Sequence, residues 1–233
     1  MNMEDFFARS EALLGEQAMH LLREKRVILF GVGGVGSYCA EALIRTGLTH
    51  LTIVDDDVVQ PSNVNRQLPA TRATIGMPKV EVLKAHLLTI NPEADIVALQ
   101  ERYTEETSFN FQLSTFNFII DAIDSVNDKT LLIICASRTR ARVYSSMGAA
   151  LRFDPTQVRT AELFDVKGDA LAKAVRARMK RLDLRPRKKI RCVYSLEQAQ
   201  RCQTRGSLMQ VTAVFGLTLA SLVVNDIRCQ AKL

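Results

Sequence analysis

The chain has 233 residues, a net charge of +6 and a hydrophobic share of 47%. That is enough apolar residue for a packed core and too much for a disordered chain, and no repeat period suggests a solenoid. Five scattered cysteines (Cys39, Cys135, Cys192, Cys202 and Cys229) form no CxxC pair, which excludes a zinc site built on paired CxxC motifs and suits free thiols. Residues 1–20 lack the basic start and continuous apolar core of a signal peptide, so a cytoplasmic protein is expected.

In chain order, residues 11–24 have the spacing of an amphipathic helix. Arg26–Phe30 (RVILF) is a short apolar run ending in glycines, the pattern of a buried strand. Gly34–Arg45 is helical in pattern, and Leu51–Val54 is a second strand ending in three aspartates. Residues 57–77 are polar and rich in turn formers, and a loop of that length is often functional. Pro78 suits the first turn of a helix running to Ile90. Ile96–Leu99 and Phe116–Ile120 are further strands, the latter followed by Asp121. Leu131–Arg138 is helical and Val143–Ser146 a strand.

Strand and helix thus alternate through the first 150 residues. This predicts a mainly parallel sheet with helices on both faces and ligands at the carboxyl ends of the strands. Residues 1–154 form the expected nucleotide domain. Residues 155–233 are expected to add a strand pair and two helices, continuous with it.

Two later stretches stand out. Leu208–Val224 is the most apolar part of the chain. Its length approaches a membrane span, but small and polar residues interrupt it. It is expected to be a buried or interface helix, with membrane contact through residues 206–224 left open. Between Lys173 and Arg191 lies a dense basic run holding Arg176, Arg178, Lys180, Arg181, Arg185, Arg187, Lys188 and Lys189. Charge alone fits either a solvated face or a contact to a nucleic-acid backbone, where cations gain by releasing counterions.

Gly31-Val32-Gly33-Gly34-Val35-Gly36 lies between a predicted strand and a predicted helix, the context in which a glycine motif is informative. Glycines allow close approach to phosphate, and the following helix presents free N–H groups. Asp55 ends the next strand, where an acid can take ribose hydroxyls. The fold class is therefore α/β and Rossmann-like. These features alone fit NAD or ATP. Ser62-Asn63-Val64-Asn65-Arg66-Gln67, Lys79 and Asp124 follow. Two cations and amides suit a triphosphate, and an acid beside it suits magnesium.

Together GVGGVGSYCAEALIRTGL, IVDDD, SNVNRQ, GMPKVEVL and DAIDS resemble the adenylating enzymes that activate ubiquitin and bacterial sulfur carriers. Beyond residue 150, DPTQ, LAKAVRARMKR, CVYSLE and GSLMQVTAVFGL resemble the tRNA threonylcarbamoyladenosine dehydratase family. The resemblance implies ATP and Mg2+ as cofactors. Nucleotide contacts are implied at Gly31, Gly33, Gly34, Gly36, Asp55, Asp57, Asn63, Asn65, Arg66, Lys79, Asp124 and Ser125, with magnesium at Asp124. Arg9, in RSEALLG, resembles an arginine that a partner subunit inserts, which implies a homodimer. Catalysis would then rest on Arg9, Arg66, Lys79 and Asp124, and the substrate would be tRNA. Two alternatives stay open: adenylation of a ubiquitin-like sulfur carrier, with a cysteine desulfurase system as partner, and NAD-dependent oxidoreduction. Cys192 has two readings: a nucleophile, because Lys188, Lys189 and Arg191 could lower its pKa, or, the favoured one, a small buried residue of the strand IRCVYS. His20, His50 and His86 receive no role.

Overall fold

Apolar runs of four or five residues, bounded by charged or turn-forming ones, build the sheet. The strands are β1 (Arg26–Phe30), β2 (His50–Val54), β3 (Asp95–Leu99), β4 (Phe118–Asp121), β5 (Arg142–Ser146), β6 (Val158–Glu162) and β7 (Arg191–Ser195). The computed structural model describes residues 6–200, 202–204 and 206–232. The sheet order is β3-β2-β1-β4-β5-β7-β6, parallel except for β6, which runs antiparallel to β7.

The helices are α1 (Ala8–Leu14), α2 (Glu16–Glu24), α3 (Gly36–Thr46), α4 (Lys79–Ile90), α5 (Val126–Ser137), α6 (Ala170–Arg181) and α7 (Met209–Gln230). Side chains alternate across each strand, so β1 feeds two cores. Val27 and Leu29 pack with α2, α3, α4 and α7 on one face. Ile28 and Phe30 pack with α5 and α6 on the other. Both faces are covered, which is why the strands are continuous apolar runs.

The structure corrects several boundaries. The helix expected over 11–24 is two helices, because Gly15 adopts φ +84° between them. The helix expected from Leu131 starts at Val126, where the Ser125 hydroxyl accepts the Asp128 N–H at 3.4 Å. Pro78 caps α4 rather than entering its first turn. The fourth strand begins at Phe118 and takes in Asp121.

Residues beyond 155 extend the same sheet through β7 and β6. Within this segment, α7 is long and apolar enough to span a membrane by length and composition, and half of its apolar window is buried. Val211, Phe215, Leu219 and Val223 recur every fourth residue and face the core.

Candidate active site

The strand order reverses between β1 and β4, and a cavity of about 460 Å³ opens there at the carboxyl ends of β1, β2, β4 and β5. Gly31 leaves β1 at φ +86°, and its N–H donates to the Val54 carbonyl at 2.7 Å. A Cβ on Gly31 would stand 2.7 Å from the Ala122 carbonyl oxygen, and one on Gly36 only 1.8 Å from the Gly31 oxygen. Glycine at both positions lets the chain fold back onto itself. Gly31, Gly33 and Gly34 line the cavity, whereas Gly36 does not and acts by this close packing. The amides of Gly33, Gly34 and Val35 have no protein acceptor among the described residues. They open α3 and form an anion-binding terminus.

Asp55 braces this loop. Its carboxylate accepts the Val32 N–H at 2.8 Å and the Asp57 N–H at 3.0 Å. Burial raises its pKa, against the opposing pull of Lys79 and the two amides. Lys79 opens α4 with its side chain buried, and its ammonium meets Asp57 at 2.6 Å. Asn63 is buried in a 3-10 turn where its side-chain oxygen accepts the Gln60 N–H, and it lines the cavity. Arg66 lines the cavity and is steadied by the Ser62 carbonyl at 2.8 Å and the Asn65 side chain at 2.9 Å. Asn65 itself stands outside the lining and donates to the Ser207 carbonyl, so it fastens the loop to the start of α7. Asp124 and Ser125 line the cavity after β4, and Asp124 is exposed without a protein partner among the described residues.

Other groups enter that the sequence did not announce. Arg102 and Asp128, 26 residues apart, form an ion pair at the lip with an N–O distance of 2.8 Å. Thr212 flanks the glycine loop together with Gln67 of the SNVNRQ segment, and Gly148 and Leu171 close the wall beyond β5. No spacing rule connects these positions; only the sheet brings them together. Beneath the cavity, Lys129 and Asp121 pair at 2.7 Å with both side chains wholly buried. Lys129 also donates to Ser145 and to the Ser146 carbonyl. Asp121 accepts the Ile123 N–H at 3.0 Å, which fixes the turn carrying Asp124.

The fold decides two readings that the sequence left open. Cys192 is fully buried on β7, and burial pushes its thiol up to about 12, overriding the pull of Lys129. The basic neighbours do not activate it, and it is not a nucleophile in this fold. Three members of the basic run are also not free for a phosphate. Arg176 donates to the Leu163 and Val166 carbonyls, Lys188 to the Thr139 and Ala141 carbonyls, and Lys189 pairs with Glu162 at 3.0 Å. Arg178 turns toward a second cavity lined by Glu105, Glu106 and Asp128. Arg9 lies exposed on α1 and does not line the cavity of its own chain.

The ThiF family model matches residues 7–228. The chain belongs to the ThiF family. The tRNA threonylcarbamoyladenosine dehydratase of Bacillus subtilis is 38% identical over 191 residues, covering 82% of this chain and 74% of that one. The crystal structure of the Escherichia coli tRNA N6-threonylcarbamoyladenosine dehydratase TcdA in complex with ATP superposes with a TM-score of 0.93 at 32% identity, covering 98% of this chain and 96% of that one. A more distant ThiF relative, the molybdopterin-synthase adenylyltransferase of Salmonella typhimurium, is 30% identical over 59% of this chain and 54% of its own length. Within the ThiF family this chain therefore stands with the tRNA threonylcarbamoyladenosine dehydratases, as an ATP-dependent enzyme of that branch.

Proposed function

We propose that the chain uses ATP to cyclise the threonylcarbamoyl group of threonylcarbamoyladenosine in tRNA, by adenylating its carboxylate. The observation that carries this reading is the meeting of unpaired loop amides, Arg66, Lys79 and Asp124 in one cavity at the switch point of the sheet. A nicotinamide dinucleotide requires no such combination of cations and acid, and the buried Cys192 is withdrawn as a possible thiol acceptor for a sulfur carrier. Residues 1–154 supply the nucleotide machinery in this reading, and 155–233 add the far wall of the cavity and an RNA-facing surface. A tRNA substrate places the work in the cytoplasm.

A carboxylate cannot expel oxide, whereas an acyl-adenylate can expel AMP. The substrate carboxylate oxygen attacks the α-phosphorus, and the bond to pyrophosphate breaks. The loop amides, Arg66 and Lys79 hold and neutralise the phosphates, which supplies most of the help in such transfers. For this Lys79 exchanges Asp57 for phosphate oxygen. A carbamoyl atom of the same substrate then attacks the activated carbonyl carbon, AMP leaves, and the carbamoyl group loses a proton. Proximity drives that ring closure and no enzyme nucleophile is required.

The cavity lining holds six carboxylates and three cations, so a triphosphate needs further positive charge there. Hard oxygen donors of this kind fit magnesium, with Asp124 as the unpaired ligand. When bound, the ion would offset charge on the phosphates. Arg9 would serve a second copy. Beside it, Phe6 just ahead of α1 and Leu13 on α1 are 62% and 85% exposed, an apolar flank suited to a homodimer contact.

The test is incubation with ATP, magnesium and tRNA bearing threonylcarbamoyladenosine, followed by nucleoside mass analysis. Loss of one water from the nucleoside, with one AMP and one pyrophosphate released, is expected. An unchanged nucleoside, with pyrophosphate released only when a ubiquitin-like carrier is added, would overturn the reading.

A further inference from the structure

The basic run has an unforeseen companion. Arg138, Arg140 and Arg142 follow α5, some 40 residues earlier in the chain, and the structure docks the two segments together. The Arg187 N–H donates to the Ser137 hydroxyl at 3.0 Å, and the Lys188 ammonium reaches the Thr139 carbonyl at 3.0 Å. Residues 138–142 and 180–191 together carry ten cations and one acid, Asp183. Arg142 is paired with Asp226, Lys189 with Glu162, and Lys188 is spent on carbonyls. Arg138, Arg140, Lys180, Arg181, Arg185 and Arg187 are exposed, and their side chains have no protein partner among the described residues.

This edge is not the mouth of the cavity. β5 begins at Arg142 and reaches the cavity lining at Ser146, four residues and roughly 13 Å away at a strand's rise. α6 begins beside the cavity at Leu171 and delivers Lys180 and Arg181 at its other end, roughly 15 Å off at a helix's rise. The free cations therefore lie at the opposite end of the strands from the reacting nucleotide.

We propose that this edge grips the phosphate backbone of the tRNA at a distance from the nucleoside that enters the cavity, a proposal that rests on the tRNA reading above. Arginine dominates the set, and its fork suits phosphate oxygens. Leu182 is the exposed large apolar residue of the two segments, so the patch is a charged contact without an apolar face. The edge selects for a large RNA, whereas the cavity selects for the modified nucleoside.

The experiment uses the pairs Arg138→Gln/Arg140→Gln and Arg185→Gln/Arg187→Gln, and all four together, in the full chain. Affinity for full-length tRNA is measured over a salt series. Alongside it are run ATP titration, cyclisation of the free threonylcarbamoyladenosine nucleoside and binding to anionic lipid vesicles. At about 0.7–0.9 units of slope per phosphate, each pair should flatten the salt dependence by about 1.5 units and the four together by about 3. ATP affinity and turnover of the free nucleoside should not move. An unchanged tRNA slope overturns the proposal, as does a matching loss of nucleoside turnover, which would tie the edge to the cavity. Loss of vesicle binding with tRNA unmoved would make the edge a membrane contact instead. Failure of the wild-type chain to cyclise either substrate would sink the tRNA reading itself, so the two failures are distinguishable.

Discussion

Gly36 illustrates how one missing methyl sets the site. Any side chain there would be driven into the Gly31 carbonyl, and the turn that aims the loop amides would open. Gly36→Ala should cost about 1–3 kcal/mol of stability, typical of an overpacked position. It should also weaken ATP binding, checked by denaturant unfolding and calorimetry. Cys192 is the opposite case, a reactive group silenced by its surroundings. Cys192→Ala should keep most of its turnover, and the folded protein should show no fast alkylation of this thiol at pH 8. The same burial gives a pH effect. Cys192 is held near 12 in the fold against an ordinary 9.0, and Cys39 is raised further still. Above pH 9 the unfolded chain loses protons that the folded chain retains. Stability should therefore be fully present below pH 9 and decline as pH rises toward 12. Unfolding midpoints across that range, compared with Cys192→Ala, test the sign.

At the scale of elements, the cavity depends on two contacts outside its lining. The Lys129–Asp121 pair ties α5 to β4 and β5 from beneath. Lys129→Met leaves a buried carboxylate without its counter-charge, which should cost about 3–5 kcal/mol in denaturant unfolding. Restoring stability with a second change, Asp121→Asn, would show that the uncompensated charge is the cause. The second contact is made by α7. It crosses α3 at Gly216, where a Cβ would come 2.2 Å from the Val35 carbonyl. Gly216→Leu should push α7 off α3 and carry the glycine loop with it. Nucleotide affinity should then fall although no group that faces the nucleotide has changed. A folded Gly216→Leu protein with wild-type ATP affinity would show that the two helices are not coupled in this way.

For the whole molecule, Arg9 poses the main question, because α1 buries none of its own residues and holds Arg9 away from its own cavity. Arg9→Ala and Lys79→Ala proteins should each be inactive alone. Mixed under conditions of proven subunit exchange, they should regain activity, since one of the two sites in a heterodimer then carries neither change. No recovery would count against a site shared between subunits. This test is independent of the basic edge, which should change tRNA affinity alone.

The sequence by itself determined the strands, the glycine loop, Asp55, Arg66, Lys79 and Asp124. These are local signals: apolar runs of strand length, a turn that only glycine can make, and polar residues in the loops and helix starts that follow strands ending at one edge of a parallel sheet. It also resolved the likeness to the dehydratase branch, because that likeness rests on residue identities. Tertiary structure alone decided the rest. Cys192 looked activated by its sequence neighbours, yet Arg191 is exposed at the start of β7, Lys188 is spent on carbonyls and Lys189 on Glu162, while the thiol enters the core. Arg176, Lys188 and Lys189 counted as free charge until the fold supplied carbonyls and Glu162 within reach. Arg102 found Asp128, and Arg138 and Arg140 joined the far basic run, through contacts between segments distant in the chain. Local patterning specifies an element and its exposed or buried face, but charge pairing and desolvation depend on neighbours that only the packed sheet assembles.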